Sequence, residues 1–222
     1  RLRHAGRGNA ETALAELEAL GAAPPPSLPD ADPAAALLAN ILKNQGSVDV
    51  AEDRGAVVKA VARFLYDNFR TQKLVVGGDP RLAALPWRDG GLLPRFGTAE
   101  SGDAAALAYA RLGVAETGST VSWTGRANPA GNHLLPESHI VLVDSGDVVG
   151  TQEQAWERIR QETGSDRPRG IHFVSGPSST ADIAGHFVKG AHGPRMWHVI
   201  LVGNGGAALL ARACELAGRS RG

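Results

Sequence analysis

Glu116 is a carboxylate at the point where an apolar stretch meets a run of small residues. It follows "LGVA" and precedes Thr117, Gly118 and Ser119. A carboxylate at the end of a strand can act as an acid or base, as a nucleophile, or as the acceptor for a substrate hydroxyl. The alternative is a structural carboxylate that accepts backbone N–H bonds and fixes the turn. We take Glu116 as the candidate catalytic residue and the three residues after it as candidate ligand contacts.

A second candidate is the hydroxyl-rich turn "GPSST" at 176–180, which follows a short apolar run. The segment after it predicts a helix that ends near Gly190, with Ser179 or Thr180 as its cap and Asp182 in a capping box. The free N–H groups of such a junction bind anions. The alternative is a helix that merely has a good cap. The candidate ligand-binding residues of this turn are Gly176, Pro177, Ser178, Ser179, Thr180 and Asp182.

Histidines and charged residues form a third group. Glu137 and His139 are two residues apart and would share one face of an extended segment. Arg195, in "HGPR", can grip a carboxylate or a phosphate. Together with His133 these residues match no defined zinc spacing, so we expect a polar cluster that closes a cleft and no metal site. The candidate ligand-binding residues of this group are Glu137, His139, His192, Gly193 and Arg195.

The elements that must position these residues alternate between helices and strands. The patterns predict helices at 34–46, 53–69, 102–113, 151–164 and 207–218, and strands at 47–51, 73–78, 114–123, 138–146, 171–176 and 196–203. Several of the strands are apolar throughout, which indicates a mostly parallel α/β sheet with helices on both faces. Such sheets bind ligands at the carboxyl ends of their strands, and we expect the candidate residues to line a cleft there.

The N-terminal part of the chain has a different character. Residues 10–20 have leucines at helical spacing, and residues 23–33 form a proline-rich connector that cannot be the interior of a helix. We divide the chain into a helical arm with its connector at 1–32 and an α/β domain at 33–222. The arm would lie on the domain or on a partner.

Composition narrows the possible functions. The chain has 222 residues with 23 basic and 23 acidic side chains, so it has no broad field that would attract nucleic acid. Its apolar runs are shorter than the ~20 residues of a membrane span, and we expect no membrane insertion. Cys214 is the only cysteine, which indicates a reduced, cytoplasmic compartment. An iron–sulfur cluster normally takes four thiolates, so this chain alone cannot hold one.

Four stretches, "AETGS", "LPESHIVLV", "GPSSTADI" and "GAHGPRMWHVILV", occur in an order and at a spacing that resemble the lactate utilization protein C family, the LUD-domain or YkgG-like group. The resemblance covers about residues 34–203. The chain differs from the family pattern at Ser179 and Ala184, where charged residues are common. These differences argue against tight phosphate binding.

The resemblance implies an α/β fold similar to the NagB/RpiA/CoA-transferase group. It also implies a role in growth on L-lactate beside two iron–sulfur proteins, in a system that oxidises lactate to pyruvate. It supplies no catalytic residues. The matched positions are Glu116, Thr117, Gly118, Pro136, His139, Gly176, Pro177, Ser178, Thr180, Asp182, His192, Gly193 and Pro194.

Three functional hypotheses follow. The first is a non-redox subunit of a lactate-oxidising system that binds a small anionic metabolite, with the clusters on its partners. The alternative is a stand-alone enzyme of the CoA-transferase or sugar-phosphate isomerase kind that uses Glu116 as nucleophile or base. The third is a structural partner protein whose arm docks on another subunit. The sequence leaves the ligand and the oligomeric state open, and a homo-oligomer is possible.

Overall fold

Helices and strands alternate along the chain much as the patterns predict. The computed structural model describes residues 9–21, 24, 26–181 and 187–219. The elements in these ranges are α1 (Ala10–Ala19), α2 (Pro33–Lys43), β1 (Ser47–Ala51), α3 (Arg54–Phe69), β2 (Lys73–Val76), α4 (Pro80–Ala83), β3 (Leu93–Phe96), β4 (Ala105–Tyr109), β5 (Leu112–Val114), β6 (Ser119–Trp123), α5 (Gly131–Leu134), β7 (Ser138–Asp144), β8 (Val148–Val149), α6 (Gln152–Thr163), β9 (Ile171–Val174), β10 (Ser179–Ala181), β11 (Phe187–Lys189), β12 (Met196–Val202) and α7 (Gly206–Leu216). Short 3₁₀ turns at Trp87–Gly90 and Ser145–Asp147 complete the list.

The central sheet has six strands in the order β1-β12-β7-β4-β2-β3. All of its neighbouring pairs are parallel. The predicted mostly parallel α/β sheet is therefore confirmed. β7 and β4 lie at its centre, and β12 pairs with β7 in a register that places His139 opposite Trp197.

Alternation along the central strands divides the core between two faces. Ile140, Leu142 and Ile200 point to one face and pack with the apolar side of α3. Their neighbours in sequence, such as Val141 and Val199, point to the other face, where α2 and α7 cover them. A strand buried on both sides reads as an unbroken apolar run, which is why the patterns identified β7 and β12 within two residues.

The structure also contains a second, smaller sheet, which the sequence patterns do not predict. Its four strands have the order β8-β5-β6-β9, with β6 antiparallel to both of its neighbours. Ala155 and Ile159 of α6 cover its apolar face. The segment 114–123, which predicts a single strand, is in fact the end of β5, a tight turn and β6.

The predicted helix at 102–113 is wrong. Ala105 to Ala108 are helix-forming by propensity, yet they form β4 in the middle of the central sheet and are at most 1% exposed. Ala106 packs against Val75 and Ala99. Packing from both sides overrides a weak local preference, and the small alanine side chains fit where two layers approach closely.

The predicted helix after the turn at 176–180 is also wrong. Over the described residues, this segment forms two short antiparallel strands, with Thr180 opposite Val188. The sequence carries Ile183 and Gly185 in what would be the helix interior, and both residues lower helix propensity. The capping role expected for Ser179 and Thr180 disappears with the helix.

The N-terminal arm forms the expected helix. The leucines of α1 face solvent, with Leu20 80% exposed. The connector contacts the domain at its end, because Leu28 packs beside α2 and Asp30 accepts a hydrogen bond from Arg212 at 2.9 Å. None of the helices within the described ranges combines the length and the apolar character needed to cross a bilayer.

The turn between β5 and β6 joins the two sheets. Asn40 of α2 donates to the carbonyl of Ala115 at 2.8 Å, and Asn44 donates to the carbonyl of Thr117 at 2.8 Å. Gly118 has a φ of +61°, and a Cβ on it would lie 2.6 Å from the backbone carbon of Asn40. Gly118 is therefore needed for close approach of the turn to α2.

We expect Gly118→Ala to lower the free energy of unfolding by about 3 kcal/mol, because it combines a left-handed backbone with a clash against helix backbone. Gly91→Ala is the matched control, since Gly91 has a φ of +64° and its nearest neighbour, a glutamine side-chain nitrogen, is 3.7 Å away. It should cost only about 1 kcal/mol. Urea unfolding measures both, and equal losses would contradict the packing argument.

Candidate functional site

The candidate residues gather at the amino ends of the central strands. Glu137 directly precedes β7, His139 is the second residue of that strand, and Gly193 and Pro194 lie just before β12. The prediction of a cleft at the carboxyl ends is therefore wrong for this set. The sequence places Gly176 after a strand of the central sheet, but in the structure it follows β9 of the second sheet. Gly176 lies beside Asn44, the residue that ends α2 and precedes β1.

A cleft of about 400 Å³ lies at this edge. The peptide N–H of Ser178 donates to the carbonyl of Pro194 at 2.8 Å, and this bond joins the two motifs "GPSS" and "HGPR". Ser178 Oγ makes no hydrogen bond to the part of the protein that the structure describes. We call this the histidine cleft; its lining residues are His133, Leu134, Ile171, His172, Phe173, Val174, Ser175, Gly176, Ser178, His192, Gly193 and Pro194.

Glycine is required where the cleft walls meet. Gly176 has a φ of +143°, and a Cβ on it would lie 2.7 Å from the carbonyl oxygen of Asn44. A Cβ on Gly193 would lie 3.3 Å from Cβ of Ser178. These contacts bring the wall after β9 against the end of α2, and they leave the Ser178 side chain facing the cleft.

A pair of buried histidines lies at the cleft, and one of them, His133, is part of its lining. His133 Nδ1 and His139 Nε2 are 2.9 Å apart and share one hydrogen bond. His133 is 3% exposed and His139 2% exposed. The ring of His172 stacks on that of His133 with a centroid distance of 5.5 Å. The remaining ring nitrogens, His133 Nε2 and His139 Nδ1, are buried and have no hydrogen-bond partner among the described residues.

Both histidines of the pair are neutral at pH 7. Burial, and to a lesser degree the charge of His172, lowers the pKa of His133 to about 4. Burial also lowers the pKa of His139 well below its usual value, with His133 and His172 adding to the effect. In a hydrogen-bonded pair of neutral imidazoles, one ring donates and the other accepts. His133 Nε2 and His139 Nδ1 must therefore have opposite roles, one carrying a hydrogen and the other a lone pair.

Glu116 lies outside the cleft lining. Its Oε2 accepts from the backbone N–H of Gln152, the first residue of α6, at 2.9 Å. Its own N–H donates to the carbonyl of Gly150 at 2.9 Å. This carboxylate stabilises the start of α6, which is the structural role that the sequence left open. The polar chain Thr117–Ser119–Ser175 connects its turn to the cleft through hydroxyl hydrogen bonds.

The other candidates have varied positions. Glu137 and Arg195 form an exposed ion pair at 3.0 Å, so Arg195 already holds a carboxylate. Ser179 Oγ donates weakly to the carbonyl of Pro177 at 3.5 Å, and Thr180 lies in β10. None of these residues is among the cleft-lining residues that the structure describes. Asp182 lies outside the described residues.

Three cleft residues carried no strong sequence signal. His172 sits in the apolar run "IHFV", where a histidine looks like an ordinary sheet residue. The sequence presents His133 only as a possible metal ligand, and it gives no signal for Ser175. The spacing of His133 and His139 becomes informative only because α5 folds back over the start of β7.

We expect stability to fall as the pH drops from about 6.5 towards 4. The unfolded chain binds a proton at His133 near pH 6.5, whereas the folded chain does so only near pH 4, so acid favours unfolding in this window. The loss from His133 alone should be about 3 kcal/mol and should level off below pH 4. Urea unfolding at pH 7.5, 5.5 and 4 measures it. His133→Gln should flatten this part of the profile, and an unchanged pH dependence in the variant would contradict the assignment.

Comparisons with known proteins identify the family that this chain resembles. Residues 101–202 match the LUD domain family. A lactate utilization protein C from Shouchella clausii (strain KSM-K16) is 35% identical over 89 residues, which are 40% of this chain and 39% of that protein. The corresponding protein of Bacillus subtilis (strain 168) is 33% identical over 98 residues, 43% of this chain and 41% of its own. The chain thus spans about two fifths of these relatives.

Two further comparisons cover more of the chain. A lactate utilization protein C from Exiguobacterium sp. (strain ATCC BAA-1283 / AT1b) is 24% identical over 164 residues, which are 69% of this chain and 71% of that protein. The crystal structure of a DUF162 family protein from Deinococcus radiodurans has the same fold with a TM-score of 0.62 and 22% identity. The structural alignment covers 80% of this chain and 100% of the chain from Deinococcus radiodurans. These comparisons support the family resemblance: residues 101–202 match the LUD domain family, and the chain is similar over part of its length to proteins named lactate utilization protein C.

Proposed function

We propose that the chain is a non-redox component of an L-lactate utilization system and that it binds a small anionic metabolite in the histidine cleft. The iron–sulfur clusters of that system would lie on partner proteins, since this chain has only Cys214. The proposal includes a cytoplasmic location and a fold related to the NagB/RpiA/CoA-transferase group. The relatives named lactate utilization protein C support the process, and the cleft supports the binding role.

One observation carries the binding proposal. His133 Nε2 is buried, has no hydrogen-bond partner in the part of the chain that the structure describes, and belongs to a residue that lines the cleft. An unsatisfied buried polar atom costs free energy in the empty protein, and a ligand that hydrogen-bonds to it recovers that cost. Ser178 Oγ adds a second hydrogen-bonding group at the same wall. A small metabolite with carboxylate and hydroxyl oxygens can contact both residues within a cleft of about 400 Å³.

The geometry does not favour the stand-alone enzyme that uses Glu116. A nucleophilic glutamate must face the substrate, whereas one carboxylate oxygen of Glu116 is engaged by the backbone of α6. The chain of hydroxyl groups that connects this turn to the cleft includes Ser119, which is buried and only 1% exposed. We therefore assign Glu116 to the structure of the turn.

We expect a cleft ligand to stabilise the chain, and a variant of the cleft to lose that effect. A probe at 100 times its dissociation constant adds about 2.7 kcal/mol to the free energy of unfolding. Thermal unfolding with L-lactate, pyruvate or inorganic phosphate measures it. Ser178→Ala should remove the cleft's share of the stabilisation, whereas Ser165→Ala, a change at an exposed serine outside the cleft, should keep it in full.

Glu116→Gln separates this proposal from the enzyme alternative. The variant should lose about 1 kcal/mol of stability with the helix contact and still bind the probe. Lactate oxidation should require the iron–sulfur partners and should survive the substitution. Turnover by the isolated chain that Glu116→Gln abolishes would overturn the subunit proposal in favour of the enzyme.

We also propose that α1 docks on an iron–sulfur partner. Leu14, Leu17 and Leu20 are 58%, 64% and 80% exposed, and helical spacing places them along one side of α1. Deleting residues 1–21 spares Leu28 and Asp30, so the melting temperature should stay within about 2 °C of the full chain. Co-purification with the partners should be lost. Full assembly of the truncated chain would contradict this role.

A further inference from the structure

A second group of polar residues occupies the opposite edge of the central sheet. Tyr109 ends β4, Asp144 ends β7, and Asp79 with Arg81 follows β2. Three neighbouring strands thus deliver these side chains to one place at their carboxyl ends. In open α/β sheets, this edge is where ligands bind. None of these four residues belongs to the histidine cleft.

The four side chains form a fixed network. Arg81 contacts Asp79 through two nitrogens, at 3.1 and 2.9 Å, and reaches Asp144 at 3.3 Å. Its guanidinium carbon lies 3.6 Å from the centre of the Tyr109 ring. The Tyr109 hydroxyl donates to Asp144 at 2.6 Å. Burial raises the pKa of Tyr109, and Asp144 raises it further, so the phenol stays neutral. Its oxygen retains lone pairs that can accept a hydrogen bond.

A cavity of about 190 Å³ opens beside this network. Its wall includes Asp79, Tyr109, Arg111, Trp123 and Arg126. Since liquid water takes about 30 Å³ per molecule, the cavity has room for about six waters or for an organic molecule of similar size. A nucleotide is far larger. We call this space the arginine cavity.

Glycines bring the cavity wall into place. A Cβ on Gly77 would lie 3.0 Å from the carbonyl oxygen of Ala127, and one on Gly78 would lie 3.4 Å from its Cα. Asn128 closes the turn by donating to the carbonyl of Trp123 at 3.2 Å. The turn at 125–128 therefore packs directly against the residues after β2, and Arg126 lies within this turn.

The charged side chains in and beside the cavity have a net positive charge, because three arginines (Arg81, Arg111 and Arg126) face two aspartates (Asp79 and Asp144). Burial raises the pKa of Asp79, but the hydrogen bonds and charge of Arg81 outweigh it, so this carboxylate is ionised and paired. Arg111 and Arg126 form no ion pair with any residue that the structure describes. The guanidinium carbon of Arg111 lies 5.1 Å from the ring centre of Trp123, which restricts its position. Two cations on a small cavity attract an anion, and guanidinium groups match a carboxylate in geometry.

We propose that the arginine cavity binds a small organic acid of about three to five carbons, a size set by its volume. The carboxylate lies between Arg111 and Arg126, and the carbon chain lies along the face of Trp123. A hydroxyl on the acid donates to the oxygen of Tyr109 or to Asp79. This site is separate from the histidine cleft, and it does not depend on the role proposed there.

Isothermal titration calorimetry of the full chain tests the proposal with L-lactate, propionate, succinate and inorganic phosphate as probes. At least one of the three organic acids should bind, and propionate, which lacks the hydroxyl, should bind more weakly than L-lactate. Arg111→Gln and Arg126→Gln should each weaken binding about tenfold or more. Arg88→Gln, a change at an exposed arginine outside the cavity, should leave binding unchanged.

The variants separate this site from the histidine cleft. Binding that Ser178→Ala abolishes and the two arginine variants retain would overturn the arginine cavity and support the cleft. Binding of phosphate without any organic acid would overturn the ligand class. Absence of binding by all four probes would overturn the site itself. The expected result is that each arginine variant loses the cavity's contribution to binding and that Ser178→Ala keeps it.

Discussion

The parallel pairing of β7 with β12 and β4 is the constraint on which both candidate sites depend. Six of the seven residues of β7 are buried, and its register is fixed on both sides by strands that are themselves buried. His139 near one end contacts His133, which lines the histidine cleft, and Asp144 at the other end accepts a hydrogen bond from Tyr109, which lines the arginine cavity. His139 and Asp144 are five positions apart, so a rise of about 3.3 Å per residue separates them by roughly 16 Å. One strand therefore fixes the distance between two chemically different sites.

The two ends of the strand differ in how they can bind a ligand. The histidine pair is neutral because burial disfavours its charged form, so it contributes directional hydrogen bonds and no net charge. A ligand at His133 Nε2 selects which ring of the pair donates, since the two unpartnered nitrogens have opposite roles. The arginine cavity instead offers permanent charge at exposed side chains, which salt screens. Ionic strength should therefore weaken binding at the cavity far more than binding at the cleft.

The sequence predicted those parts of the fold that depend on unbroken patterns. β1, β7, β12 and the longer helices α2, α3, α6 and α7 are within a few residues of their expected limits. The sequence-based prediction was wrong where tertiary packing determines the secondary structure. One case is β4, whose alanines favour a helix in isolation, and the other is the antiparallel pair of β10 and β11. Each error assigned to a helix a segment that forms a strand. The predicted edge of the sheet for the candidate residues was wrong for that reason.

The candidate site shows the same division. The family stretches "GPSS" and "HGPR" do meet in one cleft, and Gly176, Ser178, His192 and Gly193 line it. The pairing of His133 with His139 could not be predicted from the sequence, because it requires α5 to fold over the start of β7. The network of Arg81, Tyr109 and Asp144 was missed because the segment that contains Tyr109 was assigned to a helix. Once β4 is a strand, its last residue must lie at the carboxyl edge between Asp144 and the segment that carries Arg81. The chemistry of that edge thus follows from the identity of a single strand.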